Sequence, residues 1–437
     1  MTRLLTYLAC LALGSQVVLA ADKAECSKDK KCPENKPCCS QYGECGTGAY
    51  CLGGCDPRSS FSLEACVPNP VCESKTYQFD DLDSVSPNTK YLGDAKKADW
   101  VSSGTPMSSD GNLLLTMPAD SVGTLMANNH YMWYGKASAK MRTSRGRGVV
   151  TAFILMSDVK DEIDFEFIGV DLETAQTNYY FQGVIDYTNG KNLTVDGGDT
   201  FGEEHEYEID WTPDSITWSI DGKPLRTLDK KSTFDSKTNQ YNFPQSPSRV
   251  QLSLWPGGKE DNGQGTIDWA GGVIDWEHED IKNNGYFYSI FSEIKMECYD
   301  PPSGVEKKGD NSYVYTDKKG TEDTIQITDK KTVLKSLLAS GLDMDKDYPS
   351  SSKSGSTPSE TDIAVIPGMS GGGAGTNGQQ GGEGGSGGDG GGLDEPTTDF
   401  TGPKDEGSPN TAPSQNERVF SGSIFAALVA VMVLVSM

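Results

Sequence analysis

Basic residues are scarce in this sequence. Its 437 residues include 38 Lys and Arg against 63 Asp and Glu, which gives a formal net charge of -25. Because contact with nucleic-acid phosphates needs a basic surface, this balance argues against a nucleic-acid partner. Histidine is scarcer still, at 3 residues. Nothing in the sequence indicates a metal or an organic cofactor.

Long apolar runs are also rare, and the first lies at the amino terminus. Residues 1–20 combine Arg3, an apolar centre and small residues before Ala21. This pattern is typical of a cleaved secretory signal peptide and is too short for a membrane span. We therefore expect a secreted protein that has lost Cys10.

The other apolar run, Ile424–Val435, is too short for a membrane span of about 20 residues. Small residues and a polar spacer precede it, which is typical of a signal for a GPI lipid anchor. Asn410 is the preferred attachment residue, with Gly407 and Ser414 as alternatives, and residues 411–437 would be removed. The mature protein would then sit at the cell surface, anchored to the plasma membrane or transferred to the wall.

Long segments with helical periodicity are missing between these ends. Residues 72–300 instead show short apolar or aromatic runs that are broken by Gly, Asn, Asp and Pro. That rhythm predicts a large all-β sandwich or barrel. A hairpin is indicated where Ile216–Ile220 and Leu225–Leu228 flank an Asp-Gly turn.

Two less regular segments follow this β-rich region. Residues 301–349 form a mixed connector, in which Thr332–Leu338 is predicted to be one short helix. Residues 350–410 are mainly Ser, Gly, Pro and acidic residues, which bury too little apolar surface to fold. We expect a flexible stalk there.

Cysteine is concentrated near the amino terminus. Of the 11 in the chain, eight lie between Cys26 and Cys66. In a secreted chain this density indicates a disulfide scaffold over residues 21–70, because so small a segment has little core of its own. Zinc binding is the competing interpretation, but no histidine lies near. Spacing alone cannot choose among the possible pairings.

The residues from Asp161 to Phe167 alternate acidic and bulky apolar side chains. On a strand, Glu162, Asp164 and Glu166 would share one face. Three adjacent like charges repel, which pushes their pKa values apart so that one group stays protonated and another ionised. Glycosidic bond cleavage needs such a pair, because one group attacks the sugar and the other protonates the leaving oxygen.

The simpler interpretation is an exposed edge strand with solvated charges. It is disfavoured because the preceding run, Val149–Met156, has the apolar character of a central strand.

The acidic stretch resembles the E-[ILV]-D-x-E signature of glycoside hydrolase family 16, a family of β-jelly-roll enzymes. The resemblance implies that Glu162 is the nucleophile, that Glu166 is the general acid/base and that Asp164 hydrogen-bonds the nucleophile. Four strand residues separate the two α-carbons by roughly 13 Å. Retaining carboxyl pairs lie about 5–5.5 Å apart, so the two side chains must lean toward each other.

Residues 38–51 resemble the hevein-type chitin-binding module. This resemblance implies that Ser40, Tyr42 and Tyr50 hold N-acetylglucosamine, whereas Glu44 replaces an aromatic residue and leaves a weak or purely positional module as an alternative. The implied bridges are Cys26–Cys39, Cys32–Cys45, Cys38–Cys51 and Cys55–Cys66. Cys72 and Cys298 remain, one on each side of the β-rich region, and are expected to pair.

Further stretches of the central region could line a sugar cleft. They are Trp133–Lys136 with the strand carrying Lys140 and Arg142, the alternating set Gln176, Asn178, Tyr180 and Gln182, and the strand that ends at Trp255. For each alone, packing in the core is an equally good interpretation.

Together these motifs resemble the fungal Crh cell-wall transglycosylases, in particular those with an amino-terminal chitin-binding module. The resemblance implies that Arg226, Trp255 and Thr266 contact chitin. It also implies a reaction that cuts chitin and passes the fragment from Glu162 to β-glucan. Alternatives are a hydrolytic family 16 endo-β-glucanase or chitinase, and a wall lectin or adhesin without activity. Asn192 begins the only N-glycosylation sequon and is expected to carry a glycan.

Overall fold

The computed structural model describes residues 24–348. The signal peptide, the stalk and the attachment residue Asn410 lie outside the described residues and stay predictions. No helix within residues 24–348 is long and apolar enough to cross a membrane.

Short strands dominate the described part of the chain, together with two six-residue α-helices and a few 3-10 turns. The helices are α1 (Gln264–Trp269) and α2 (Glu279–Asn284). In chain order the strands are β1 (Cys38–Cys39), β2 (Cys45–Gly46), β3 (Asn69–Pro70), β4 (Lys75–Tyr77), β5 (Val85–Pro87), β6 (Trp100–Ser103), β7 (Thr105–Ser109), β8 (Asn112–Pro118), β9 (Thr124–Asn128), β10 (Gly135–Arg142), β11 (Val149–Ser157), β12 (Glu162–Ile168), β13 (Thr174–Tyr180), β14 (Lys191–Thr194), β15 (His205–Trp211), β16 (Ser215–Ile220), β17 (Lys223–Asp229), β18 (Phe234–Asp235), β19 (Gln240–Tyr241), β20 (Ser248–Pro256), β21 (Tyr286–Cys298), β22 (Glu306–Lys308), β23 (Ser312–Tyr315) and β24 (Ile325–Thr328).

Two large sheets pack face to face and confirm the predicted all-β jelly-roll sandwich. The first has the order β17-β16-β15-β10-β21-β8-β7, with β4 added beside β21. The second has the order β14-β13-β12-β11-β20-β9-β6-β5. One apolar core lies between them. The aromatic ring of Tyr207 in the first sheet meets Phe165 and Phe167 of the second edge-on, at 5.4 and 4.7 Å between centroids.

Alternation along the strands explains this layering. In β15, buried and partly exposed residues alternate from His205 to Trp211, so one face of the strand enters the core. The predicted hairpin is present as β16 and β17. Its turn residues Asp221 and Gly222 have φ values of 50° and 74°, as a two-residue type I′ turn requires.

All five expected disulfides are formed. The four short bridges join Cys26–Cys39, Cys32–Cys45, Cys38–Cys51 and Cys55–Cys66, and the long one joins Cys72–Cys298. The last closes a sequence separation of 226 residues and ties the two ends of the sandwich together.

The segment after residue 300 is more ordered than a connector. Strands β22, β24 and β23 form a small sheet with β3 of the amino-terminal segment. The predicted helix over Thr332–Leu338 is wrong. Its backbone bonds to other parts of the chain, for example from Leu334 N to Leu92 O at 2.8 Å, while Leu334 packs among the module's cysteines.

The long disulfide Cys72–Cys298 is expected to contribute a large share of the free energy of unfolding. In the chain-entropy picture, replacing Cys72 and Cys298 by Ala costs about 5 kcal/mol, against about 3 kcal/mol for Cys55 and Cys66, which close a short loop. Urea unfolding of both double variants measures the difference. A loss for Cys72→Ala/Cys298→Ala no larger than that for Cys55→Ala/Cys66→Ala would contradict the expectation.

Candidate active site

The acidic stretch forms the strand β12, which lies between β11 and β13 inside the second sheet. Glu162, Asp164 and Glu166 are buried on one of its faces. Ile163, Phe165 and Phe167 project to the other face and belong to the core between the sheets. The predicted alternation is therefore confirmed, and an exposed edge strand is excluded.

The start of β12 is fixed by the buried residue Asp161. Its Oδ2 accepts hydrogen bonds from Gln245 N at 2.9 Å, Ser246 N at 3.1 Å and Ser246 Oγ at 2.6 Å. Farther along, the Trp218 indole of the first sheet donates to the Asp164 carbonyl oxygen at 3.0 Å. These hydrogen bonds fix the position of β12 relative to the core between the two sheets.

Strand register defines which side chains surround the three carboxyl groups. Tyr180, Asn178 and Gln176 of β13 lie directly opposite Glu162, Asp164 and Glu166. Two strands away on the other side, β20 places Arg249, Gln251 and Ser253 in the same three rows. We call this surface the carboxylate face: Glu162, Asp164, Glu166, Gln176, Asn178, Tyr180, Arg249, Gln251, Ser253 and Trp255.

Several buried polar atoms of the carboxylate face have no hydrogen-bond partner among the described residues. They include Glu162 Oε1, Gln251 Nε2 and Ser253 Oγ. Buried polar groups are normally paired, so such atoms indicate a surface that is completed by a polar ligand. An array of sugar hydroxyl groups offers both donors and acceptors to these atoms.

Burial and mutual repulsion govern the acidity of the site. Burial, together with the charges of Asp164 and Glu166, raises the pKa of Glu162 well above its usual value. Burial and the charge of Glu166 do the same for the pKa of Asp164. Because the groups cannot all ionise at small cost, the trio retains a proton at a pH where isolated carboxyl groups have lost theirs.

An aromatic pair lies beside the Glu166 row. Trp255 at the end of β20 stacks on Trp269 of α1 at 6.0 Å between ring centroids. The Trp269 indole also donates to Gln176 Oε1 at 2.8 Å. Flat aromatic surfaces next to amide groups are typical of carbohydrate sites.

Comparison with known proteins agrees with this geometry. Residues 94–271 match the profile of the Glycosyl hydrolases family 16. Crh-like protein 2 of Aspergillus fumigatus is 55% identical over 448 residues, which cover 97% of each chain. The chain belongs to the Crh-like proteins of glycosyl hydrolase family 16. The Crh-like chain is therefore an enzyme that acts on glycosidic bonds.

Two further proteins are similar over shorter stretches. Congo red hypersensitive protein 2 of Saccharomyces cerevisiae is 47% identical over 352 residues, which cover 79% of this chain and 75% of that protein. A solved Crh5 transglycosylase in complex with NAG is 30% identical and covers 62% of this chain and 99% of its own, with a TM-score of 0.49.

The predicted chitin contacts of the Crh-like chain fall in different places. Trp255 lies on the carboxylate face, and Thr266 is buried in α1 three residues before Trp269. Arg226 lies on the opposite side of β13. Its guanidinium donates to Thr177 O and Oγ1 at 2.8 and 2.7 Å and to Asn189 O at 2.6 Å.

The guanidinium of Arg226 also stacks over the Trp218 ring at 4.2 Å, and its burial lowers its pKa to about 10. The guanidinium of Arg226 therefore lies on the side of β13 away from the carboxyl groups, although its charge opposes the rise in the pKa of Asp164. A contact between Arg226 and chitin stays a prediction.

The hydrogen bond expected between Asp164 and Glu162 is not formed here. The carboxyl group of Asp164 makes no hydrogen bond to another side chain within residues 24–348. Two carboxylates repel, so that bond requires a proton on one of them.

Other stretches that were expected to line the cleft do not do so. Trp133 and Tyr134 are buried in the core, where the Trp133 indole donates to Gln245 O at 3.0 Å. Lys140 and Arg142 belong to β10 in the first sheet. Gln182 lies beyond the end of β13, where its Oε1 accepts from Arg58 NH1 at 3.0 Å. Core packing was the correct interpretation for Trp133 and Tyr134.

The strand that ends at Trp255 was named as a possible cleft lining, but sequence reasoning did not single out its residues Gln251 and Ser253, and it missed Trp269. A signal for the first two was present, because Arg249, Gln251, Ser253 and Trp255 alternate strictly with apolar residues in β20. No periodic signal marks Trp269, which lies on a helix of only six residues.

The amino-terminal segment separates its three predicted sugar contacts. Ser40 and Tyr42 lie together at a groove, whereas Tyr50 is buried in an apolar cluster with Cys38 and Leu52. Burial raises the pKa of Tyr42 to about 12. The described residues contain one cluster of metal-binding side chains, Cys26, Cys32 and Cys39, and all three are bound in disulfides.

We expect the crowded carboxyl groups to destabilise the folded protein more strongly as the pH rises. A carboxyl group whose pKa is raised on folding stabilises the folded state below its unfolded pKa of about 4, and this contribution is lost as pH rises through the folded value. We expect Asp164→Asn to raise the melting temperature at pH 7, by about 2–4 °C for each kcal/mol of repulsion removed. The melting temperature of Asp164→Asn should also fall less between about pH 4 and about pH 8 than that of the natural protein, because one carboxyl group with a raised pKa is gone.

The matched control is Asp300→Asn, because Asp300 is exposed and lies outside the sheet. Calorimetric melting curves of the three proteins measure the effect. An Asp164→Asn protein that melts at or below the temperature of the natural protein at pH 7 would show that repulsion in the trio is already relieved.

Proposed function

We propose that the Crh-like chain is a retaining transglycosylase that cleaves chitin and transfers the fragment to β-glucan, and so cross-links the cell wall. The observation that carries this proposal is the set of three carboxyl groups on one face of β12. The membership in glycosyl hydrolase family 16 and the similarity to a Crh5 transglycosylase complexed with NAG support it.

The first step forms a bond to the enzyme. The ionised Glu162 carboxylate attacks the anomeric carbon of the donor sugar, and the bond from that carbon to the bridging oxygen breaks. Glu166 gives its proton to the leaving oxygen as this bond breaks. The products are a glycosyl ester on Glu162 and a shortened chain with a new hydroxyl group.

The second step reverses these roles. Glu166, now ionised, accepts the proton of an incoming hydroxyl group, and the oxygen attacks the anomeric carbon while Glu162 leaves as a carboxylate. A sugar hydroxyl completes transfer, whereas water completes hydrolysis.

The charges of the trio fit this sequence. Glu162 must be ionised to attack, although burial and its neighbours raise its pKa. Asp164 occupies the position between the two glutamates and also has a raised pKa. A proton on Asp164 would remove one repelling charge beside Glu162 and would allow Asp164 to donate a hydrogen bond to it.

An acceptor sugar must compete with water of far higher concentration, so the site must hold it in place. The partly exposed ring of Trp269, which the buried Trp255 supports by stacking, and the amide of Gln176 offer such a platform beside Glu166. We infer that these three residues favour a sugar hydroxyl over water in the second step.

The remaining parts of the chain extend the proposal to the cell surface. We infer that residues 21–70 are a hevein-like chitin-binding module. Asn192 is exposed on the edge strand β14 and is accessible for N-glycosylation. Secretion by the signal peptide and a GPI anchor at Asn410 would place the enzyme at the membrane and wall, where both polymers occur.

Transfer can be measured with chitin oligomers as donor and a labelled β-glucan as acceptor. We expect labelled hybrid chains from the natural protein. Glu166→Gln should lower the rate by about 10²–10⁴-fold because it removes the acid/base, and Glu162→Gln should lower it at least as much because no glycosyl ester forms. Glu64→Gln, at an exposed position of the amino-terminal segment, is the matched control.

The other outcomes separate the alternatives. Shortened oligomers without hybrid would identify a hydrolase, and unchanged oligomers would identify a binding protein. Undiminished transfer by Glu162→Gln would defeat the assignment of the nucleophile.

A further inference from the structure

A groove lies where the amino-terminal module meets the second sheet. Ser40, Gln41 and Tyr42 line it from the module. The sheet contributes Arg249 of β20, together with residues of β9 and β6. One groove is therefore built from two parts of the chain that the sequence presents as separate domains.

This groove continues the carboxylate face. Arg249 lies in the same row of the sheet as Glu162, with Met156 between them. Ala127 of β9, which also lines the groove, is the register partner of Gln251. With strands spaced by about 4.8 Å, the groove begins roughly 10 Å from β12 and extends outward across β9 and β6.

The groove contains buried polar atoms that lack a partner. Arg249 is 5% exposed, and its Nε has no hydrogen-bond partner in the described structure. Gln41 Oε1 is likewise buried and unpartnered. A donor from the sheet and an acceptor from the module thus border the same space, which indicates a ligand that supplies one of each.

The module is docked rather than tethered. Its Gly54 N donates to Asp158 Oδ1 at 2.8 Å, and Asn69 Nδ2 donates to Asp158 Oδ2 at 2.9 Å. Tyr131 OH donates to the same carboxylate at 2.7 Å. Asp158 is the residue after the end of β11, so the module is fixed to the strand that neighbours β12.

Close packing at Gly53 completes the docking. A β-carbon at Gly53 would lie 2.3 Å from an Arg249 guanidinium nitrogen, so the Arg249 side chain packs directly against the module backbone and a larger residue there would displace it. On the far side, the module backbone bonds to the segment after the sandwich, from Gly48 N to Ala339 O at 2.8 Å.

We propose that the module and the second sheet form one continuous sugar-binding groove, in which Gln41 and Arg249 bind an N-acetylated sugar of the donor chain at a distance from the cleavage point. This inference rests on the proposed function. The module then selects long chitin chains for the reaction and is not an independent anchor.

The chemistry of the groove favours an acetamido group. Its carbonyl oxygen accepts a hydrogen bond, as Arg249 Nε requires, and its N–H donates one, as Gln41 Oε1 requires. The ring of Tyr42 adds an aromatic surface for the pyranose. A β-glucan unit lacks the acetamido group, so the groove belongs to the chitin donor and not to the acceptor.

Binding of chitin oligomers of increasing length tests this directly, by titration calorimetry of proteins that all carry Glu162→Gln and cannot cleave the ligand. We expect affinity to rise with length until the oligomer reaches the groove. Adding Gln41→Met should weaken binding of long oligomers by about 10- to 100-fold and leave short ones unchanged. Arg249→Met, which also changes the carboxylate face, should weaken binding of long oligomers more than that of short ones. Phe61→Ala, an exposed aromatic residue of the module that does not line the groove, is the matched control.

Melting curves show whether each variant is folded. If Arg249→Met is unstable, Gln41→Met still tests the proposal, because it changes only the module. Equal losses at all lengths, or no loss at any length, would overturn the proposal. If the variants lose affinity for β-glucan oligomers and keep it for chitin oligomers, the choice of ligand is wrong. Because the titration needs no turnover, a natural protein that shows no transfer would defeat the proposed function without deciding the groove.

Discussion

Mutual repulsion among three buried carboxyl groups is the constraint around which the structure is built. Glu162, Asp164 and Glu166 share a face because the side chains of a strand alternate between its two faces. A rotation of the whole strand β12 would therefore move the three groups together. The apolar side chains between them, including Phe165, pack into the core and hold the strand in place. Burial, reinforced by this repulsion, raises the pKa values of Glu162 and Asp164. The same crowding that costs stability keeps a proton available for the chemistry.

The small disulfide-linked module packs against the sandwich that carries the carboxyl groups, and the two form one structural unit. Its four bridges replace a core that so short a segment could not form. Asp158 then binds it from one side, and the segment that follows Cys298 packs on the other. A rigid union of this kind fixes the distance between Gln41 of the module and the carboxyl groups of the sheet, which a flexible linker would leave undefined.

Local patterns allowed much of this to be predicted from the sequence. The strand β12, the turn at Asp221 and the five disulfides follow from alternation, turn chemistry and family resemblance. The side of the sheet on which Arg226 lies was not predictable, because it depends on how the first sheet packs on β13. Thr332–Leu338 was misjudged because contacts with distant residues satisfy its backbone. The docking of the module on Asp158 depends on tertiary contacts that no periodicity encodes.

The central claim is that Glu162 forms a covalent bond to the donor sugar. A chitin oligomer with an activated leaving group, incubated without acceptor, should form that ester faster than water removes it, so that mass spectrometry of the digested protein detects it. The account predicts one glycosyl adduct on the peptide containing Glu162, which disappears in Glu162→Gln and is released when a β-glucan acceptor is added. An adduct on another residue, or turnover of the donor with inversion at the anomeric carbon, would contradict it.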